Sequence, residues 1–176
     1  MTRSNGGQTE WPVSDRAAPI RVLHVVHKMM RGGIETWLMN VLRSIDRDRF
    51  KFDFLVYTDR PSDYDKEVRD LGSRLLPCVP PTQPWAHNKV QRRILAQEGP
   101  FDVIHAHGSS VIGNALRLGA QAGIPVRIAH GHNTSEDPRR LRSYAYRALT
   151  DRWMAQHMTH GLGCSDAACD FLFGAD

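Results

Sequence analysis

Short apolar runs alternating with longer helical stretches predict an α/β protein built on a doubly wound, parallel sheet with helices on both faces. Three observations carry that expectation. The runs are short and almost continuously apolar, as in Ile20-Arg21-Val22-Leu23-His24-Val25-Val26, the pattern of strands buried on both faces. Apolar residues at helical spacing separate most of them. Nothing between the runs reads as a hairpin, so right-handed crossovers must connect them.

Each element has its own signal. After Ile20 to Val26 comes a loop with Gly32-Gly33, and then Ile34, Trp37, Leu38, Val41, Leu42 and Ile45 recur at helical spacing. Phe52 to Tyr57 is a second strand, Tyr64 to Leu71 a short helix, and Arg74 to Pro77 a weak third strand. Pro80-Pro81 and Pro84 assign Val79 to Ala86 to a loop, and Asn88 to Gln97 forms a helix ended by Gly99-Pro100. Phe101 to Ala106 is the fourth strand. Ile112 to Ala122 is a helix stopped by Gly123, and Pro125 to Ala129 is the fifth strand. Leu141, Tyr144, Ala145, Ala148, Leu149 and Trp153 mark one face of a helix from Pro138 to His157. Thr159 to Cys164 is a sixth strand, and Ser165-Asp166 caps a final helix.

Composition narrows the class. With 41% hydrophobic and 24% charged residues over 176 positions, the chain can bury a core. Residues 1–19 are polar, contain Gly6-Gly7 and lack an apolar signal region, so they read as a disordered tail before one domain over 20–176. The longest apolar runs fall well short of the roughly 20 residues of a membrane span. Cys78, Cys164 and Cys169 are an odd number without C-x-x-C spacing, which disfavours a disulfide framework and points to the cytoplasm. The net charge of +4 is mild, and no basic-aromatic stripe calls for nucleic acid. Arg139, Arg140, Arg142, Arg147 and Arg152 form a cluster that suits an anionic lipid or a phosphorylated ligand and, equally well, a solvated helix face.

A doubly wound sheet binds ligands outside the carboxyl ends of its strands. That singles out Lys28 to Gly33, His107 to Ser110 and His130 to Ser135. In the first of these loops, Gly32 and Gly33 precede a helix N-terminus and Lys28 and Arg31 add charge. The set suits a phosphate or diphosphate, or else only a tight turn. Neither G-x-x-x-x-G-K-[ST] nor G-x-G-x-x-G occurs there, although Asp59 follows the second strand where a ribose-binding acid would stand.

Nine histidines include His105-Ala106-His107 and His130-Gly131-His132, whose i, i+2 spacing in an extended chain turns each pair to one side. Metal binding is one reading. Hydrogen bonding to a substrate is the preferred one, with His132 before Asn133-Thr134 as the residue for proton transfer or sugar hydroxyls. Ser109-Ser110 does not match the G-x-S-x-G elbow, and Cys164 has no assignable partner.

Five stretches in order resemble the N-terminal domain of retaining GT-B glycosyltransferases of family 4, of the bacterial capsular and exopolysaccharide type. They are Arg21 to Val26, Gly32-Gly33-Ile34-Glu35, Phe101 to His107, Val126 to Thr134, and Gly163 to Ala168 leading to Phe171-Leu172-Phe173-Gly174. The resemblance implies one Rossmann-like half of a GT-B enzyme, the acceptor side. It places Gly32 and Gly33 near the donor diphosphate and Glu35 at the acidic position behind them. His132 faces the acceptor and the transferred sugar, with His107, Gly108, Asn133 and Thr134 on the same edge. It further implies a nucleotide-sugar substrate without cofactor or metal, and a sugar or lipid-linked saccharide acceptor at the inner membrane surface, where Arg139, Arg140, Arg142 and Arg147 would have a use. No residue matches the E-x7-E motif of the family's second domain. The sequence therefore implies a truncated or split transferase with little activity alone, completed by a separate donor-domain chain. Two alternatives stand beside it: a non-enzymatic acceptor-binding remnant, and a nucleotide- or NAD-binding Rossmann protein.

Overall fold

The computed structural model describes residues 18–108, 111–134 and 144–174, with side chains of the last segment from Tyr146 onward. The tail expected over 1–19 therefore lies outside the described residues except for its last two, as do Ser109, Ser110, Ser135 and the start of the helix expected from Pro138.

Six strands and six helices alternate: β1 (Ile20–Val26), α1 (Gly33–Ser44), β2 (Phe50–Val56), α2 (Asp65–Asp70), β3 (Arg74–Pro77), α3 (Pro84–Glu98), β4 (Val103–His107), α4 (Ile112–Gln121), β5 (Val126–Gly131), α5 (Tyr144–His157), β6 (His160–Gly163) and α6 (Asp166–Phe173). The sheet runs β3-β2-β1-β4-β5-β6 and every pairing is parallel. The doubly wound expectation holds, and the strand order reverses between β1 and β4.

Strand alternation sorts the core into two layers. Leu23 and Val25 of β1 join Ile104, Ala106, Ile112, Leu116 and Leu118 on one face. Val22 and Val26 turn to the other, where Leu38, Met39 and Leu42 of α1 meet Phe52, Phe54 and Val56 of β2. The α1 stripe Leu38, Met39 and Leu42 is fully buried, so this amphipathic helix is fixed on the sheet.

Two boundaries differ from expectation for identifiable reasons. Helix α3 starts at Pro84 instead of Asn88, because proline at the first helical position gives up an N–H that would be unpaired anyway. Strand β5 continues to Gly131, beyond the expected Ala129, since it pairs with β6 through Gly131 and Gly163. A side chain on Gly131 would meet the Ala168 carbonyl oxygen at 2.9 Å, so glycine lets α6 pack against the end of β5.

Candidate functional site

The carboxyl ends of β1, β4 and β5 lie side by side, and the register decides what meets there. His24 of β1 stands beside His105 of β4, and His107 of β4 beside His130 of β5. In-register partners in a parallel sheet share a face, as do residues two apart. His24, His105, His107, His130 and His132 consequently form one continuous group on the α1 side of the sheet. Their rings are 3.9 Å apart at His130–His132, 4.2 Å at His105–His107 and 5.1 Å at His105–His130. The indole of Trp37, projecting from α1, covers them, with centroids 5.3 Å from His130 and 6.1 Å from His107 and His132.

Three nitrogen–nitrogen contacts tie the rings together. His24 Nδ1 lies 3.1 Å from His107 Nε2, and His107 Nδ1 lies 3.0 Å from His132 Nε2. His105 Nε2 lies 3.0 Å from His130 Nδ1. Each contact needs one proton, which neutral imidazoles supply. Burial pushes His24 down to about 3, His105 to about 2 and His107 well below the ordinary histidine range, with neighbouring histidines adding to the shift. His130 is lowered by burial too. His132, half-buried at the outer end, falls to about 4 by burial and the charge of His130. At neutral pH the group is uncharged, and its outermost member is a hydrogen-bonding imidazole. Two trios, His24/His105/His107 and His107/His130/His132, bring one ring nitrogen each within 4.8 Å of one another, a spacing open to a metal ion.

The other expected residues take separate positions. Gly108, with φ of +91°, makes the turn that ends β4, a conformation that favours glycine. Gly108, Gly131, His132 and Asn133 line one small hollow with Phe171 and Leu172. Asn133 and Thr134 are exposed at the rim. A wider hollow lined by Leu42, Arg47, Phe50 and Gly72 among others shares no residue with this edge.

At the start of α1, Gly32 is the N-cap and Gly33 the first helical residue. The Glu35 carboxylate folds back against Gly32 so closely that a side chain there would collide with it, whereas Gly33 faces open space. Burial raises the Glu35 pKa against the opposing pull of its own backbone N–H, His27 and Lys28. A residue with a side chain at 32 would displace only the flexible end of Glu35. Arg147 packs over Phe171 and lies 3.5 Å from Asp151, while Arg139, Arg140 and Arg142 lie outside the described residues.

His24 and Trp37 are the members that pattern reading missed. Trp37 reads as one more apolar residue of α1, yet it is 42% exposed and roofs the histidines. A lone histidine in a β-branched run is the signal for His24, since it shares the face of Val22 and Val26 opposite α1.

Residues 32–173 match the model of the glycosyl transferase 4-like domain. The chain belongs to that family. EpsF of Bacillus subtilis (strain 168), named as a glycosyltransferase, is 37% identical over 163 residues, covering 88% of this chain and 41% of EpsF. The chain thus spans about two fifths of that relative's length. Among solved structures, Anabaena Alr3699/HepE, in complex with UDP and glucose, superposes with a TM-score of 0.60 at 15% identity, over 87% of this chain and 40% of HepE. That likeness bears out the Rossmann-like α/β fold. The expected resemblance to family 4 is borne out. Among the described residues, no helix is long and apolar enough to cross a membrane.

Proposed function

We propose that this glycosyl transferase 4-like domain forms the acceptor side of a retaining, nucleotide-sugar-dependent glycosyl transfer. The observation that carries the reading is the 3.0 Å contact between His107 and His132 at the carboxyl edge of the sheet, next to the β1/β4 switch point. His132 then presents its Nδ1 to a hydroxyl or ring oxygen of the sugar, held in orientation by His107. Because it is neutral at working pH, it acts by hydrogen bonding and positioning more readily than as an acid. Gly108, Asn133 and Thr134 line the acceptor approach. The open backbone at Gly33, at the α1 N-terminus, suits a donor diphosphate oxygen, with Glu35 positioning that turn. The nucleotide sugar is a substrate, and no cofactor is invoked. UDP-sugars are the first donors to test, given the UDP held by HepE.

In this reading the main grip on the nucleotide comes from a donor-binding domain, on the same polypeptide or on a separate chain, because transfer needs both substrates fixed in one cleft. The acceptor is a saccharide, free or lipid-linked, and Arg147 with Arg139, Arg140 and Arg142 would meet an anionic membrane surface.

The test uses a two-domain form assembled from this chain and a family donor domain, assayed for sugar transfer to saccharide acceptors. His132→Ala lowers turnover about 100-fold with an unchanged circular dichroism spectrum. Undiminished turnover removes His132 from the mechanism. The chain alone binds UDP-sugars weakly, and micromolar affinity would contradict the division between acceptor and donor sides.

A further inference from the structure

The contacts among the five histidines sort them into an outer and an inner set. His107, His130 and His132 bring one nitrogen each within 4.8 Å of one another. His107 Nδ1 and His132 Nε2 stand 3.0 Å apart, close to the roughly 3.3 Å that two nitrogens span on one tetrahedral zinc. Behind them, the second nitrogen of His107, Nε2, meets His24 Nδ1, and His130 Nδ1 meets His105 Nε2. Metal-bound imidazoles use this arrangement, one nitrogen turned to the ion and the other donating its proton to a partner that fixes the ring.

We propose that His107, His130 and His132 form a three-histidine site for a divalent transition ion such as Zn2+, with His24 and His105 as positioning residues behind it. The proton count closes in that state. His107 carries its proton on Nε2 and donates to His24 Nδ1, leaving its own Nδ1 for the ion. His130 carries its proton on Nδ1 and donates to His105 Nε2, leaving its own Nε2. His132 binds through Nε2 and keeps its proton on Nδ1. Three neutral imidazoles therefore coordinate without losing a proton.

His132 is half-buried, so the fourth position opens towards the strand-end loops and takes water or an anionic oxygen, as in open three-histidine sites. The inner trio, His24, His105 and His107, is buried throughout and would hold a doubly charged ion with no open position beside it. Imidazole donors favour Zn2+, Co2+, Ni2+ and Cu2+ over Mg2+ or Ca2+. An ion here occupies the space in front of His132, so it inhibits transfer. That consequence rests on the substrate-facing role proposed for His132, whereas the binding itself does not.

The experiment titrates the chain, free of any polyhistidine tag, with Co2+ and Zn2+ in the absence of sugar. One equivalent of Co2+ gives the intense visible absorption of a four-coordinate nitrogen site, and Zn2+ displaces it. His132→Ala and His107→Ala weaken binding more than 100-fold, while His24→Ala weakens it about 10- to 100-fold. His132 is half-buried, so His132→Ala keeps the circular dichroism spectrum and the result does not depend on the more deeply buried variants. The control His157→Ala/His160→Ala binds like the parent. Equal Co2+ affinity in the parent and His132→Ala, a pale six-coordinate spectrum, or loss of binding in the control overturns the site. None of those outcomes bears on the transferase reading, since no sugar substrate is present.

Discussion

The two ends of the sheet bury polar groups in opposite ways. At the amino-terminal end the groups are charged and fully answered. Asp53, midway along β2, is inaccessible, yet Arg74 at the start of β3 reaches it through Nε at 2.9 Å and Nη2 at 2.7 Å, and Arg21 near the start of β1 through Nη2 at 3.0 Å. Burial by itself would raise the Asp53 pKa, but the hydrogen bonds and charges of Arg74 and Arg21 outweigh it and hold the carboxyl below its usual range. Glu98 closes the network with an oxygen 2.7 Å from Arg74. At the carboxyl-terminal end the buried groups are neutral, stacked and only partly answered: His24 Nε2 is buried without a hydrogen-bond partner, and His132 opens outward. The difference teaches that one end is built to hold strands β1, β2 and β3 together. The other leaves a buried ring nitrogen without a partner behind a half-buried His132.

Acidification separates the two ends most widely. The folded pKa values of His24, His105 and His107 are depressed, so the unfolded chain takes up protons first. Stability is full above about pH 6.5, the unfolded histidine value, and declines below it by about 1.4 kcal/mol per pH unit for each histidine that stays neutral in the fold. Asp53 is depressed as well, but for a carboxylate this means stability present above about pH 4 and lost below it. Denaturant melts between pH 8 and 4 should show a decline already under way by pH 6. A flat profile down to pH 4.5 would erase the contrast.

Asp53→Asn tests the charged end directly. It leaves Arg21 and Arg74, both partly exposed, without their shared carboxylate, and should cost about 2–4 kcal/mol in urea unfolding at pH 7. The variant should also lose the part of the acid response below pH 4 while keeping the histidine part. Gly131→Ala probes the neutral end through packing. Its new methyl meets the Ala168 carbonyl oxygen and Leu172, so about 1–3 kcal/mol is expected, together with displaced His132 resonances in the NMR spectrum. Ser165→Ala has the smallest effect. It removes the 3.2 Å cap from Ser165 Oγ to the Ala168 N–H at the start of α6, about 1 kcal/mol by thermal melting.

Much of the fold was legible in the sequence, and for a local reason. The run Arg74 to Pro77 is a strand over those very residues, and Ser165 caps α6 as its position before Asp166 indicates. Proline punctuates loops and also opens helices, so Pro84 reads as loop in the sequence yet begins α3 in the structure. The site was legible in part. His107 and His132 lie on separate strand ends 25 positions apart, and the H-x-H spacing pointed to each pair without showing that they touch.

By itself the sequence determined the alternation of strands and helices and the parallel sheet, because apolar periodicity and crossover handedness act locally. Only the tertiary structure decided that five histidines and Trp37 share one face. That outcome depends on the register between β1, β4 and β5, which is set by pairing between residues 81 positions apart for His24 and His105 and 23 apart for His107 and His130, and leaves no mark in the spacing of any one strand.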